Sequence, residues 1–259
     1  MLKGRNAVVT GSTSGIGEGV ARALAAQGAN IMLNGFGDAA AIEELRVDLA
    51  ANGVQVLYNP GDLSKAEDCA ALIADAEKRL GSVDVLVNNA GIQFVSPIED
   101  FPVEKWNQII AINLSSAFHT IRAAVPVMRK RGWGRLINMA STHGLVASTN
   151  KVAYVAAKHG IVGITKVVAL ELATTGITCN AICPGWVLTP LVQKQIDDRA
   201  AREKIAQKVA EHNLLAEKQP SVRFTKVSDI GGLAVFLCSD AAQNITGSMI
   251  PVDGGWTAQ

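Results

Sequence analysis

Ala7 to Thr10 reads as a short strand with no polar alternation. It runs straight into Gly11-Ser12-Thr13-Ser14-Gly15-Ile16-Gly17, and helical periodicity follows from Ile16 to Ala26. A strand apolar on both faces needs cover on both faces, and crossover helices over a parallel sheet supply it. The alternation then repeats. Asn30 to Asn34 is a second strand and Ala40 to Ala51 a second helix. Val54 to Tyr58, Val83 to Val87, Arg135 to Met139 and Ile177 to Ile182 continue the strand series, with helical stretches between them. The expected class is α/β: a doubly wound, Rossmann-type parallel sheet with helices on both faces. Leu191 to Gln219 breaks the rhythm. Long, charged and free of glycine and proline, it reads as helices inserted before the last helix and strand, and with its approach it spans 188–219. A lid over a cleft and a plain surface insertion both fit it.

The glycine turn is the first chemical feature. Gly11 lets the chain turn sharply, Gly15 lets a pyrophosphate approach the backbone, and Gly17 permits close helix packing. Thr13, Ser14 and Ile16 lie between them, where a helix N-terminus offers free N–H groups to an anion. A purely structural turn is the alternative. Cofactor choice depends on the end of the second strand, Asn34-Gly35-Phe36-Gly37-Asp38, where Phe36 is counted with the cofactor-binding residues. No Lys or Arg lies between Ala29 and Ala41 to pair with a 2′-phosphate, which favours NAD over NADP. No acid stands immediately at the strand end, and Asp38 lies further along. Asp62 and Leu63, after the third strand, are placed to flank adenine, although an aspartate there could equally cap the helix beginning near Ser64.

Composition narrows the function classes. The chain has 259 residues, 49% apolar and 18% charged, with a net charge of +1. A chain of this length buries about three quarters of its unfolded surface, and without repeats or linkers it is expected to form one domain over 1–259. Nucleic-acid binding needs a clustered basic stripe; Arg129-Lys130-Arg131 is short and reads as the basic end of a helix. Cys69, Cys179, Cys183 and Cys238 lack metal-ligand spacing and read as core residues. Cys179 and Cys183 on one strand would stand about 13 Å apart, beyond disulfide reach. No segment reads as a long uncharged apolar run, and Met1 to Asn6 enters a strand too soon for a signal peptide. The expectation is a cytoplasmic protein with reduced thiols, no metal, no nucleic acid and no membrane.

Tyr154 and Lys158, four residues apart, share a face of a helix, with Ser141 thirteen residues upstream of the tyrosine. An ammonium beside a phenol favours phenolate and draws a pKa of about 10 toward working pH. Taken alone, the pair is more readily a chance surface motif. Oxidising an alcohol requires the hydroxyl proton to leave, and a neutral serine hydroxyl can donate to the developing oxyanion. Tyr154 suits the base role better than His143, which has no carboxylate neighbour in sequence to orient it. No Gly-x-Ser-x-Gly elbow is present, which weakens a hydrolase reading.

Thr10-Gly11-x-x-x-Gly15-x-Gly17, Asn88-Asn89-Ala90-Gly91, Asn113, Ser141, Tyr154-x-x-x-Lys158 and Pro184-Gly185 followed by Thr189 together resemble the short-chain dehydrogenases/reductases, across essentially the whole chain. The resemblance implies a seven-stranded sheet and hydride transfer to or from nicotinamide. It implies that Ser141 orients the substrate oxygen and Tyr154 is the acid/base. Lys158 would lower the tyrosine pKa and hold the ribose, and Asn113 would support a water-mediated proton relay. Asn89, Ala90 and Gly91 would line the cofactor cleft, with Pro184, Gly185 and Val187 beside them and Thr189 touching the carboxamide.

A more selective set comprises Ser141-Thr142-His143-Gly144-Leu145-Val146-Ala147-Ser148, Lys151-x-x-Tyr154-Val155-Ala156-Ala157-Lys158-His159, Pro184-Gly185-Trp186, Lys194-Gln195, Lys218-Gln219-Pro220-Ser221 and Asp253-Gly254-Gly255-Trp256. It is similar to family members acting on short 3-hydroxy acids. The likeness implies that Gln93, His143, Lys151 and Gln195 hold a substrate carboxylate while Trp186 and Trp256 limit the pocket to a short chain. The expected reaction is interconversion of (R)-3-hydroxybutyrate and acetoacetate with NAD. Thr142 departs from the pattern, standing where a smaller residue is expected. A small 3-oxo acid offers few atoms, so its carboxylate must supply much of the orientation, and one lysine with two amides and an imidazole suits it.

Bland alternatives stand beside these roles: Lys151 as a solvated residue at a helix start, His143 as a core histidine, Gln93 and Gln195 as surface amides, and the tryptophans as core or interface. A family member acting on an uncharged sugar, steroid or 3-oxoacyl thioester, with NADP in place of NAD, is the enzymatic alternative. A non-catalytic dinucleotide sensor is the other. The resemblance also implies a homotetramer with the Tyr154 helix partly at an interface. Ala153, Ala156, Ala157, Gly160 and Gly163 on that helix would permit close approach of a partner helix or packing within the subunit.

Overall fold

The computed structural model describes residues 1–258. Its strands are β1 (Asn6–Val9), β2 (Asn30–Asn34), β3 (Val56–Asn59), β4 (Val85–Asn88), β5 (Gly134–Met139), β6 (Ile177–Pro184) and β7 (Met249–Val252). They form one seven-stranded sheet in the order β3-β2-β1-β4-β5-β6-β7, with every neighbouring pair parallel. Strand ends differ from the sequence expectation by one or two residues, because pairing register rather than side-chain pattern sets where a strand stops. Cys179 and Cys183 both lie on β6, buried and free.

Helices α1 (Gly15–Ala26), α2 (Ala39–Ala50), α3 (Ala66–Leu80), α4 (Val103–Ile110), α5 (Ser116–Arg131), α6 (Val152–Leu172), α7 (Pro190–Glu203), α8 (Gln207–Ala216) and α9 (Val227–Leu237) connect the strands. Ala7, Val9, Ile31 and Leu33 pack with Leu24 of α1, Leu49 of α2 and Ile230 of α9. Val8, Met32, Leu86 and Leu136 point to the other face, against Leu72 of α3, Met128 of α5 and Leu172 of α6. Successive residues of one strand therefore enter different cores, which is why the strands carry no polar alternation. Arg129, Lys130 and Arg131 form the last turn of α5, closed by Gly132 at φ 65°.

α6 bears on two of the expectations. With 21 residues and a mean hydropathy of 1.3, α6 is long and apolar enough to cross a membrane by composition. Here it packs along the sheet, and its Lys158 is buried beside a β5 carbonyl. The small residues of α6 also divide between two directions. Ala153 and Ala157 are buried against Ile109 and a Cβ on Gly160 would stand 2.7 Å from Leu114, whereas Ala156 is exposed and Gly163 has nothing within 4 Å. α7 and α8 form the inserted pair, with a small core of Val192, Ile196, Ala200 and Ala210 closed by Trp186 and Phe224.

The strand order reverses between β1 and β4, so the connections leaving their C-terminal ends diverge and open a crevice.

Candidate active site

A cleft of about 390 Å³ runs along that crevice, from the β1–α1 turn to Trp186 after β6 and Trp256 near the C-terminus. At the turn, Gly11 and Gly15 adopt φ 59° and 58°. A Cβ on Gly11 would stand 2.8 Å from Ala90 Cα, so the two backbones can meet only at a glycine. Ser14 caps α1 in an extended conformation and makes no side-chain cap bond, leaving the N–H groups of Gly15 and Ile16 at the cleft without a partner among the described residues. Thr13, Ile16, Phe36 and Leu63 also line this end. This donor set in an elongated cleft fits a dinucleotide. Gly17 is not on the wall: its place is against the Gly11 carbonyl, where a Cβ would come within 2.2 Å. It shapes the turn from behind the wall.

Asn89 serves the same turn. Its Nδ2 donates to the carbonyls of Thr10 and Gly11, both at 2.9 Å, and Thr10 Oγ1 accepts from the Asn89 and Ala90 N–H groups in return. At the adenosine end the Asp38 carboxylate caps α2 by accepting from Ala41 N at 3.0 Å, so it is not on the cleft wall. Asp62 is on the wall. It also accepts from Ser64 N at 3.0 Å, which holds its carboxyl below the usual carboxylate range; that bond closes the turn before α3, whose N-cap is Lys65, so Asp62 lines the cleft and does not cap the helix. Among the lining residues the lysines are Lys151 and Lys158, and neither lies on the turns that carry Phe36 or Asp62.

Ser141, Tyr154 and Lys158 meet where β5 ends and α6 begins. Ser141 Oγ is hydrogen-bonded with Tyr154 and accepts from His143 N at 3.1 Å. The Lys158 ammonium lies 5.5 Å from the Tyr154 ring centre and donates to the Met139 carbonyl at 2.6 Å. The expected depression of the tyrosine pKa by this lysine is not what the site shows. Burial raises the Tyr154 phenol, with the Ser141 bond acting against it, and burial pushes Lys158 down to about 8. Both groups lose water, and at this separation desolvation outweighs their attraction.

Asn113 stands just behind these three residues. It sits in a π turn, Ala111–Ser115, behind the cleft wall, accepting from Ile92 N and donating to Ile92 O, both at 2.8 Å. The extra residue of the π turn swings the amide onto the loop after β4, so Asn113 positions Gly91 and Ile92.

The far end of the cleft collects residues from four segments. Gln93 follows β4, His143 and Lys151 flank the loop before α6, Trp186 and Gln195 belong to the approach to α7 and to α7 itself, and Trp256 comes from the C-terminal turn. His143 is buried edge-on to Tyr154 and Trp256, and burial with the nearby Lys151 charge pushes it down to about 4, so it is neutral. Lys151 lies 5.1 Å from the Trp186 ring centre, and burial pushes it down to about 8. Asp253 gathers the N–H groups of Gly255 and Thr257 and the Thr257 hydroxyl, folding Trp256 back against Trp186 at 5.7 Å. Gln219 is buried and accepts from Trp186 N at 2.8 Å, tying the end of the insertion to the cleft wall. Pro184, Gly185 and Val187 line the cleft between these groups. Thr189 lines it too, but its hydroxyl is turned to Val192 N as the cap of α7.

Sequence reasoning missed two features. Thr142, noted only as a departure, buries a hydroxyl that has no partner among the described residues. Ser148 stands 2.9 Å from His143 Nε2, and no spacing rule announces a contact made across a loop.

A family model described as Enoyl-(Acyl carrier protein) reductase matches residues 11–257. The D-beta-hydroxybutyrate dehydrogenase of Cupriavidus necator is 59% identical over 100% of both chains. That of Rhizobium meliloti is 54% identical, over 98% of this chain and 99% of the relative. A solved structure of a variant actinorhodin polyketide ketoreductase with NADPH superposes with a TM-score of 0.93 at 32% identity, covering 100% of both chains.

Proposed function

The chain belongs to the short-chain dehydrogenase/reductase family, and from that premise we propose that it interconverts (R)-3-hydroxybutyrate and acetoacetate with NAD. The observation that carries the substrate class is Lys151. Its ammonium is held in an aromatic-walled cleft beside Ser141 and Tyr154, with no carboxylate partner among the described residues. A buried cation without a counter-ion is stabilised by an arriving anion, and a small 3-oxo acid brings one at the distance a short pocket requires. The names of the two close relatives support the same substrate. The absence of a lysine or arginine between Ala29 and Ala41, the stretch that carries Phe36, supports NAD over NADP.

The cleft between the turn at 11–16 and the segment 184–189 would hold a nicotinamide dinucleotide, which would supply or take up the hydride at the substrate carbon. Lys151, with Gln93 and Gln195, holds the carboxylate beside neutral His143, while Trp186 and Trp256 close the pocket to longer chains. Ser141 donates a hydrogen bond to the reacting oxygen. In oxidation Tyr154 takes the hydroxyl proton, and in reduction it returns one. Lys158, anchored on Met139 O, places positive charge beside the phenol and the ribose site. α7 and α8 act as a lid: Gln195 couples carboxylate binding to closure, and Gln219 fixes the hinge end.

We read the protein as a cytoplasmic enzyme, in keeping with its four buried free thiols. The assembly is a homotetramer, a reading supported by exposed apolar residues on neighbouring helices: Trp106 on α4, Phe118 on α5, Val167 and Leu170 on α6. Steady-state kinetics with NAD and NADP, on acetoacetate and on its methyl ester, tests the cofactor and the carboxylate together. A preference for NADP, or for the ester, sinks the corresponding half of the proposal.

A further inference from the structure

Resting on the reading in which Ser141 offers its proton to the substrate oxygen, we propose that Ser148 is a positioning residue. Its hydroxyl donates to Nε2 of His143, holds the imidazole as the Nδ1–H tautomer, and so keeps the Ser141 hydrogen free for the reacting oxygen.

The argument is an accounting of protons among three side chains. A serine hydroxyl has one hydrogen to give and two lone pairs to receive. Ser141 Oγ already receives the His143 backbone N–H at 3.1 Å. Its other imidazole neighbour is His143 Nδ1 at 3.4 Å. A bare Nδ1 is an acceptor and competes with the substrate oxygen for the Ser141 hydrogen. A protonated Nδ1 fills the second lone pair and leaves that hydrogen for Tyr154 and the substrate. One nitrogen of a neutral imidazole carries the proton, so what happens at Nε2 decides what Nδ1 presents.

At Nε2 the partner is Ser148 Oγ, 2.9 Å away and closer than Ser141 is to Nδ1. Nε2 is the only acceptor within reach of the Ser148 hydroxyl among the described residues. When Ser148 donates, every hydrogen in the chain from Ser148 through His143 to Ser141 has a partner. When it accepts, its own hydrogen turns to solvent at this half-buried position and Nδ1 faces Ser141 bare. The imidazole cannot escape by turning, because Tyr154 and Trp256 pack edge-on against it at 5.9 and 5.4 Å. It cannot escape by protonation either. Burial and the charges of Lys151, Lys218 and His159 keep it neutral.

The test reads the tautomer itself. Nitrogen NMR of protein labelled at histidine distinguishes a protonated ring nitrogen from a bare one, and His143→Gln assigns the His143 signals by their loss. The expected wild-type pattern is a proton on Nδ1 and a bare Nε2. Ser148→Ala shifts the proton toward Nε2 and lowers kcat about 10-fold, the loss of one hydrogen bond's worth of orientation, with KM for NAD unchanged. Ser148→Thr restores the tautomer and most of kcat. A wild-type proton on Nε2 overturns the proposal, as does a Ser148→Ala variant with wild-type tautomer and kcat. The spectrum requires no substrate. An Nδ1–H pattern in a protein that fails to turn over 3-hydroxybutyrate therefore supports the positioning role while counting against the substrate assignment.

Discussion

Replacing Lys151 with methionine isolates the charge on which the substrate assignment rests. The lysine stem packs toward the Trp186 ring, 5.1 Å from ammonium to ring centre, and methionine keeps most of that apolar contact while removing the cation. A hydrogen bond to a charged group contributes about 1.5–3 kcal/mol, so KM for acetoacetate is expected to rise about 10- to 150-fold. For methyl acetoacetate, which has no charge to lose, KM should move less than about threefold. The pH dependence has a definite sign. Burial places Lys151 at about 8, below its ordinary value of 10.5, so the free enzyme loses the cation as pH rises through about 8. Wild-type affinity for the acid should therefore fall above that pH, while affinity of the Lys151→Met variant stays flat. Initial-rate kinetics on acid and ester across the alkaline range reads all of this. Equal losses on acid and ester would mean that the substitution merely deformed the pocket. An unchanged KM for the acid would remove Lys151 from the clamp.

Tyr154→Phe should lower turnover about 100- to 10,000-fold while NADH binding, followed by fluorescence, is retained; substantial residual turnover excludes Tyr154 as the proton carrier. Because burial raises the phenol, oxidation at saturating substrate should speed up as pH is raised from neutral, with more tyrosine able to accept a proton, and reduction should slow. The reverse order would contradict the assignment. Thr142→Val keeps the side-chain shape and removes a buried hydroxyl without a partner, so it should stabilise the fold by about 1–3 kcal/mol in urea unfolding. A loss of stability would show that the hydroxyl has a partner in solution.

The sheet was legible because each strand feeds two apolar cores: Val8 and Val9 point to opposite faces, and the sequence records this as unbroken hydrophobicity. Strand ends were not, since they depend on register with neighbours such as the β6–β7 pairing of Pro184 with Val252. The identities of Ser141, Tyr154 and Lys158 were legible from spacing and motif order. Their electrostatics were not, because the Met139 carbonyl that draws Lys158 away belongs to another element. Asn113 was found as a residue, but its structural bonds were not. Its bonds to Ile92 follow from a π turn that no periodicity predicts. Gly17, read as permitting close helix packing, does sit against the Gly11 carbonyl, and Asp38, read as lying further along the strand end, is the cap of α2.

The central claim is that this cleft passes a hydride between NAD and a short 3-hydroxy acid of one hand. Its most direct test is NADH formation from (R)- and (S)-3-hydroxybutyrate in parallel, with the product identified as acetoacetate. The account predicts NADH and acetoacetate in equal amounts from the (R) acid and no turnover of the (S) acid. Comparable rates on both enantiomers, or NADH formation from neither, would contradict it.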